Sequence, residues 1–224
     1  AGRATQGVRI INLREGDELV NVRRVREGDK VVLVSTDGKA IMFPESEVRP
    51  MGRDTSGVRG ITLKGDAKML GMEITNGNGD LFVITEKGYG KRTPVSDYPE
   101  HKRGGQGVFT ITMTEKKGNL VACRIVGPQH ELMIMTNEGV VIRVKVKDIS
   151  RLGRSTQGVR VMNLDDSDAV SAVARMAAAK KKAAEGDGDQ AALSVATSDA
   201  EGDDGEDPVD IGGEDEVDED LLDE

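Results

Sequence analysis

Short apolar runs, broken every few residues by turn clusters, extend through the chain from Val8 to Met176, and they predict strands rather than helices. Four such runs open the chain: Val8 to Leu13, Leu19 to Val25, Lys30 to Ser35 and Ala40 to Phe43. Between them stand Glu15-Gly16-Asp17, Glu27-Gly28-Asp29 and Asp37-Gly38-Lys39, which carry turn chemistry. The same order returns as Ile61 to Leu63, Met69 to Ile74, Asp80 to Thr85 and Lys91 to Pro94, with a break at Asn76-Gly77-Asn78-Gly79. It returns again as Val108 to Met113, Leu120 to Val126, Glu131 to Thr136 and Val140 to Val144. A last partial copy, Val159 to Leu164 and Ala169 to Met176, leads into Ala177 to Ala184, a short potential helix containing Lys180-Lys181-Lys182.

The recurrence is a sequence repeat as well as a hydropathy pattern. Gly2-Arg3-Ala4-Thr5-Gln6-Gly7-Val8-Arg9 returns as Gly52-Arg53-Asp54-Thr55-Ser56-Gly57-Val58-Arg59 and as Gly153-Arg154-Ser155-Thr156-Gln157-Gly158-Val159-Arg160. A weaker copy, Lys102-Arg103-Gly104-Gly105-Gln106-Gly107-Val108-Phe109, lies between the last two. The second glycine falls at 7, 57, 107 and 158, a period of 50 to 51 residues. Other positions keep this register: Gly38, Gly88 and Gly139 each follow Ser35, Thr85 and Thr136 by three residues, and Glu47-Val48, Asp97-Tyr98 and Asp148-Ile149 come next. A period of this size with four strands per unit predicts an all-β, propeller-like array. Closed propellers use four or more such units, so three and a half, beginning inside a motif, are expected to be the final modules of a longer array.

Net charge changes the picture only when divided by position. Residues 183 to 224 hold 18 of the 40 acidic residues and no Lys or Arg, whereas residues 1 to 182 hold all 31 Lys and Arg against the remaining 22 acids. The expected organisation is therefore a basic β body over 1–176, a basic helical linker over 177–184, and a disordered acidic tail over 185–224 that has too few apolar side chains to offset its ordering entropy. No stretch approaches the roughly 18 to 20 apolar residues of a membrane span, and Ala1 to Gln6 has no apolar signal segment, so a cytoplasmic setting without a membrane is expected. The single Cys123 excludes an internal disulfide framework and reads as a buried strand residue. His101 and His130 stand without a nucleophile or metal-ligand pattern, and no P-loop or nucleophile elbow occurs, so neither catalysis nor a metal site is expected of this chain.

The chemistry that remains is cationic. The motif glycines serve a tight turn between units, but the arginines repeat as well: Arg3, Arg53, Arg103 and Arg154 four residues before the second glycine, and Arg9, Arg59 and Arg160 two residues after it. Phe109 replaces the arginine of the second set in the third copy. Arg92 and Arg143 also match in register, and Lys39, Lys91, Lys102, Lys145 and Lys147 add charge nearby. A radial repeat places equivalent residues on one rim, which would become a basic belt suited to the phosphate backbone of duplex DNA. Duplex that follows a convex rim must bend, at a cost on the order of 1–6 kcal/mol over 20–30 bp. Five aromatic side chains that do not share one repeated position make no stacking platform for single strands.

Val48 to Gly60, Gly77 to Asp80, Gly88-Tyr89-Gly90-Lys91-Arg92-Thr93 and Gly153 to Val161 resemble the C-terminal domain of bacterial DNA gyrase A, over about residues 1 to 176. The acidic extension is similar to tails that follow this domain. What the resemblance implies is a β-pinwheel whose blades exchange strands and whose outer rim binds and wraps duplex DNA with little sequence specificity, in an ATP-dependent type II topoisomerase that introduces negative supercoils. On this resemblance the DNA-binding residues are Arg3, Arg9, Arg53, Arg59, Arg92, Lys102, Arg103, Arg143, Arg154 and Arg160. It assigns the catalytic tyrosine to the N-terminal part of gyrase A, and ATP and Mg²⁺ to gyrase B. Both are implied as partners, in a nucleoid-associated setting.

The family's box for wrapping is approached here only by His101-Lys102-Arg103-Gly104-Gly105-Gln106-Gly107, where histidine stands first and Gln106 occupies a basic position. This reads as a degenerate copy, so the chain alone is expected to bind DNA and wrap it poorly. The acidic tail is expected to compete with DNA for the basic rim. The alternatives are the related C-terminal domain of topoisomerase IV and a propeller used for protein interaction.

Overall fold

The computed structural model describes residues 7–177. Among the described residues, eleven strands lie in three antiparallel sheets. They are β1 (Lys30–Ser35), β2 (Lys39–Pro44), β3 (Met69–Thr75), β4 (Asp80–Thr85), β5 (Tyr89–Pro94), β6 (Val108–Phe109), β7 (Leu120–Val126), β8 (Glu131–Thr136), β9 (Val141–Lys145), β10 (Val159–Arg160) and β11 (Val170–Met176).

Each hairpin forms where the sequence places its turn. Ser35, Thr85 and Thr136 are buried, and their carbonyls accept the amide hydrogens of Gly38, Gly88 and Gly139 at 3.1, 3.0 and 3.2 Å. The hydroxyls of Thr85 and Thr136 also accept from the amides of Tyr89 and Val140, at 3.3 and 3.1 Å. These side-chain bonds satisfy backbone donors that the turn removes from the ladder. After each hairpin a one-turn 3₁₀ helix, Glu45–Glu47, Val95–Asp97 or Val146–Asp148, redirects the chain.

The sheets do not coincide with the sequence repeats. Sheet 1 has the order β3-β1-β2-β6, sheet 2 β10-β5-β4-β7 and sheet 3 β11-β8-β9. A central hairpin from one module therefore receives a long strand from the next module and, in sheets 1 and 2, a two-residue strand from the one after that. This is the strand exchange that the resemblance implied. The incoming long strands pair with the same irregularity each time, between Val34 and Ser35, Ile84 and Thr85, and Val170 and Ala172.

Exchange also explains which sequence-expected strands are absent. Val8 to Leu13 and Leu19 to Val25 occupy the register of exchanged strands but form none among the described residues, because a strand of this class pairs with a hairpin of an earlier module. Ile61 to Leu63 is likewise irregular. The runs at Val108 and Val159 contribute two residues each, after which Thr110 and Val161 donate to the turn carbonyls of Gly38 and Gly88 at 2.8 and 2.9 Å.

Alternate residues of each strand feed different cores, as the two-residue period of a strand requires. Val32, Val34, Ala40 and Met42 of sheet 1 meet Leu81, Val83, Cys123 and Ile125 of sheet 2. Phe82, Ile84, Ala122 and Val126, from the other face of sheet 2, meet Leu132, Ile134 and Val173 of sheet 3. The unbroken run Leu81-Phe82-Val83-Ile84 is thus a strand buried on both faces. Cys123 is buried in β7 as expected, and desolvation pushes its thiol up to about 12, so it is not a ready nucleophile.

The far face of sheet 1 carries Val31, Ile41 and Phe43, against which Ile61 packs, and opens into an apolar groove of about 1320 Å³ that Ile10, Val20, Val25 and Leu33 also line. Val48 faces this side and is exposed, whereas Tyr98 and Ile149, at the same place after the next two 3₁₀ turns, are buried. At one side of the sheets β7 packs between β3 and β11. Glu73 on β3 is held there between Arg23, at 3.0 Å, and Arg124, at 3.5 Å. The opposite margin, formed by β6 in sheet 1 and β10 in sheet 2, is the outer edge.

Candidate nucleic-acid interface

The repeated motif builds the turns that lead into the outer edge. In two copies its threonine folds back, Thr55 Oγ1 donating to Gly52 O at 3.0 Å and Thr156 Oγ1 to Gly153 O at 2.9 Å. The second glycine then enters the edge strand against the hairpin of an earlier module. At Gly107 φ is +69° and an added Cβ would lie 2.5 Å from Ala40 O; at Gly158 φ is +71° and the approach to Gly90 O would be 3.0 Å. Both backbone conformation and space therefore require glycine.

Each motif is also clasped by the module before it. Asn12 donates to Thr55 O and Asp54 O, Thr62 to Gly105 O and Gly104 O, and Thr112 to Thr156 O and Ser155 O, all between 2.7 and 3.1 Å. The structural reading of the motif as an inter-module turn is correct, and it holds together with the repetition of the cations.

The sequence-predicted residues do not share one environment. Arg9, Arg53, Arg59, Lys102 and Arg160 are exposed and form no ion pair among the described residues. Arg160 donates to the Tyr89 hydroxyl at 2.9 Å and stands over its ring at 5.3 Å. Arg143 is exposed but paired with Glu131 across the β8–β9 hairpin. Arg154 is half-buried beside the Tyr98 ring. Arg3 lies outside the described residues, as do the linker beyond Ala177 and the acidic tail.

Two expectations need correction. Arg92 is not a rim cation: one guanidinium nitrogen pairs with buried Asp80 at 2.7 Å, and Nε donates to Ile149 O at 2.9 Å, which ties sheet 2 to the following module. Arg103 is half-buried and spans two backbone acceptors, Glu47 O at 2.8 Å and Arg59 O at 3.2 Å. In both, the planar fork of donors fits carbonyl and carboxylate acceptors inside the fold. Lys91 is likewise fully buried and adds nothing to the surface: its ammonium donates to Gly153 O, Arg154 O and Thr156 Oγ1 at 2.6, 2.8 and 3.0 Å. Burial, with a smaller contribution from Arg154, lowers it to about 8.

Sequence reasoning missed the outermost pairs. In sheet 1, Lys39 on β2 is the register partner of Phe109 on β6, with the ammonium 5.5 Å from the ring centre. In sheet 2, Tyr89 on β5 is the register partner of Arg160 on β10. The same two places hold one cation and one aromatic ring each time, one on a hairpin strand and one on the exchanged strand beside it. Lys117 joins the second pair, 4.7 Å from the Tyr89 ring and donating to Gln157 O at 2.9 Å. The hydrogen bond and charge of Arg160, helped by Lys117, lower the Tyr89 phenol from its ordinary value. The signal was present in the aligned repeats, where Lys39 and Tyr89 share one column and Phe109 and Arg160 another, but only exchange brings those columns together.

A family model described as DNA gyrase C-terminal domain, beta-propeller, matches residues 1–26, 29–76, 79–127 and 130–175. The DNA gyrase A protein of Staphylococcus aureus (strain MRSA252) is 45% identical over 168 residues, which cover 74% of this chain and 19% of that protein. The chain thus spans about a fifth of the length of the curated relatives it matches. A solved DNA gyrase A C-terminal domain superposes with a TM-score of 0.71 at 29% identity, over 75% of this chain and 58% of the other. The C-terminal domain of DNA topoisomerase IV shares the fold, with a TM-score of 0.72 at 24% identity over 77% of this chain and 54% of the other. Exchanged four-stranded sheets at a 50-residue period and the matched family segments lead to one assignment: the chain belongs to the DNA gyrase C-terminal domain family.

Proposed function

We propose that this chain binds duplex DNA along its outer edge and is the DNA-wrapping part of a gyrase A protein, within a type II topoisomerase that introduces negative supercoils at the expense of ATP. The observation that carries the reading is a set of exposed cations with no ion pair among the described residues: Arg9, Arg59 and Arg160 at one motif place in the first, second and fourth modules, with Arg53 and Lys102 in the motif turns. Charges at such spacing release counterions from a phosphate backbone without reading bases. On this reading the bond-breaking tyrosine belongs to the N-terminal part of gyrase A, ATP and Mg²⁺ act through gyrase B, and the complex works in the cytoplasm on nucleoid DNA. This chain supplies binding and curvature alone.

Supercoiling needs more than affinity, because the duplex must stay bent against its own stiffness. The degenerate box at His101 to Gly107 uses Arg103 to clamp Glu47 O and Arg59 O, which withdraws that guanidinium from DNA. The isolated chain is therefore a binder that wraps weakly. Binding of a linear duplex of roughly 40 bp measured against salt tests the first part: the reading requires affinity to fall steeply as salt rises. Absence of binding at low salt would turn the assignment toward a protein-interaction propeller. Strong writhe trapped by ligase on a relaxed circle would refute weak wrapping.

A further inference from the structure

The motif turn that leads into β10 is tied to the body of the fold through its carbonyls. Five in succession accept from the body: Gly153 O and Arg154 O from the Lys91 ammonium, Ser155 O and Thr156 O from the Thr112 hydroxyl and amide, and Gln157 O from Lys117, at 2.6 to 3.1 Å. The amides are used differently. Thr156 N closes the turn on Gly153 O at 3.4 Å, whereas the amides of Arg154, Ser155 and Gln157 donate to nothing among the described residues. Ser155, Thr156 and Gln157 are exposed.

A peptide unit carries partial positive charge at its N–H and partial negative charge at its C=O. With the oxygens drawn inward and three N–H groups left over, the turn offers the positive ends of its dipoles, which is how successive amides hold an anion. Lys91 adds a whole charge behind them: it is fully buried, also donates to Thr156 Oγ1 at 3.0 Å, and forms no ion pair among the described residues. Arg160, exposed and likewise without an ion pair there, stands two residues past Gly158, where the turn ends. The other turns are less complete. In sheet 1 the place of Lys91 is taken by Ile41 beneath Gly105, and Gly104 gives its amide to Gly60 O at 2.6 Å. In the turn over residues 52–57, Thr55 and Asn12 reach only Gly52 O, Asp54 O and Thr55 O.

We propose that the turn from Gly153 to Gly158 is a phosphate site: the amides of Arg154, Ser155 and Gln157 donate to the oxygens of a duplex phosphodiester beside the Arg160 guanidinium, and Lys91 is the positioning residue that keeps the turn's carbonyls away from it. This rests on the reading of the outer edge as a duplex-binding surface. Lys91 touches no phosphate itself; it fixes which end of each peptide unit the turn leaves free.

The test uses the isotope-labelled 224-residue chain and a short linear duplex, with backbone amide resonances followed by NMR during titration. The amide protons of Arg154, Ser155 and Gln157 should move downfield as phosphate oxygens accept from them, and inorganic phosphate at the same phosphate concentration should leave them in place. Lys91→Met should bind duplex about tenfold more weakly, the order of one hydrogen bond to a charged acceptor, with the salt slope unchanged because no exposed cation is lost. Arg160→Ala should instead make that slope shallower by about 1. Lys91→Met also disturbs the fold, so a second pair of variants reads an amide alone. Proline suits the second place of a turn but lacks the N–H, so Arg154→Pro should bind about fivefold more weakly than Arg154→Ala at equal urea midpoints. Duplex binding that leaves the three resonances unmoved, or equal affinities of Arg154→Pro and Arg154→Ala, would overturn the amide site and leave the outer edge standing. Full affinity of Lys91→Met would overturn the positioning role. Equal shifts with inorganic phosphate would overturn the duplex as the occupant, and no binding by the unsubstituted chain would overturn both the site and the edge.

Discussion

Sheets 1 and 2 share a strand order and a register, yet they solve the same local problems with opposite residues. At the start of the central hairpin, sheet 1 has Lys30 paired with Glu100 at 2.6 Å, both partly exposed. Sheet 2 reverses the charges, with Asp80 buried and facing Arg151 at 3.0 Å, and adds Arg92 at 2.7 Å where sheet 1 has the buried Met42. Beneath the motif turn, sheet 1 uses Ile41 against Gly105, while sheet 2 uses the Lys91 ammonium against three oxygens. At the outer edge Lys39 and Phe109 exchange roles with Tyr89 and Arg160. The lesson is that the repeat keeps its geometry and leaves charge placement free within each contact, so one scaffold can present different chemistry at successive edges.

The largest difference to break is the ion pair. Asp80→Ala leaves the mostly covered Arg92 guanidinium without its carboxylate and should destabilise the chain by about 3–5 kcal/mol in urea unfolding. Lys30→Ala at the equivalent, solvated site should cost no more than about 1 kcal/mol. Equal effects would mean that burial does not separate the two sheets.

Lys91→Met removes the ammonium from three acceptors and should cost about 1–2 kcal/mol near neutral pH. The pH dependence sharpens this. Lys91 is lowered to about 8 in the fold from 10.5, so between those values the unfolded chain holds more protons and stability rises with pH. The contribution is complete above 10.5 and is lost as pH falls through about 8. The stability gap between the natural chain and Lys91→Met should therefore widen from pH 8 to 10.5. A constant gap would show that the lysine does not titrate in the fold.

The smallest expected effect concerns the tail. Ending the chain after Ala184 removes the 18 carboxylates that follow and should raise duplex affinity a few-fold at low salt, with the gain fading as salt screens it. Equal affinity of both forms at low salt would remove competition by the tail.

Much of this fold is legible in the repeat. The Ser/Thr-to-Gly turns, the three central hairpins and the doubly buried run at Leu81 to Ile84 follow from turn chemistry and strand periodicity. What local pattern cannot supply is the partner of each remaining strand. Leu19 to Val25 has the same apolar character as Met69 to Thr75, but only the latter meets a hairpin among the described residues, and tertiary pairing decides strand formation. The candidate interface was legible to a similar depth. The column of Arg59 and Arg160 is exposed, whereas Arg92 and Arg103 were drawn inward by acceptors on neighbouring modules that no linear spacing reveals. Asp80, the partner of Arg92, lies twelve residues away on the facing strand of the same hairpin, a pairing that strand register makes legible.

The central claim is that exposed cations of the outer edge, and not the cations used inside the fold, hold duplex DNA. It is tested most directly by the salt dependence of duplex binding for the 224-residue chain and for a form with Arg53, Arg59, Lys102 and Arg160 changed to Ala. If each removes one phosphate contact, the slope of log affinity against log salt should become shallower by about 3–4, with the urea midpoint preserved. A slope unchanged by the four substitutions, in a chain that still binds, would place the duplex elsewhere and contradict the account.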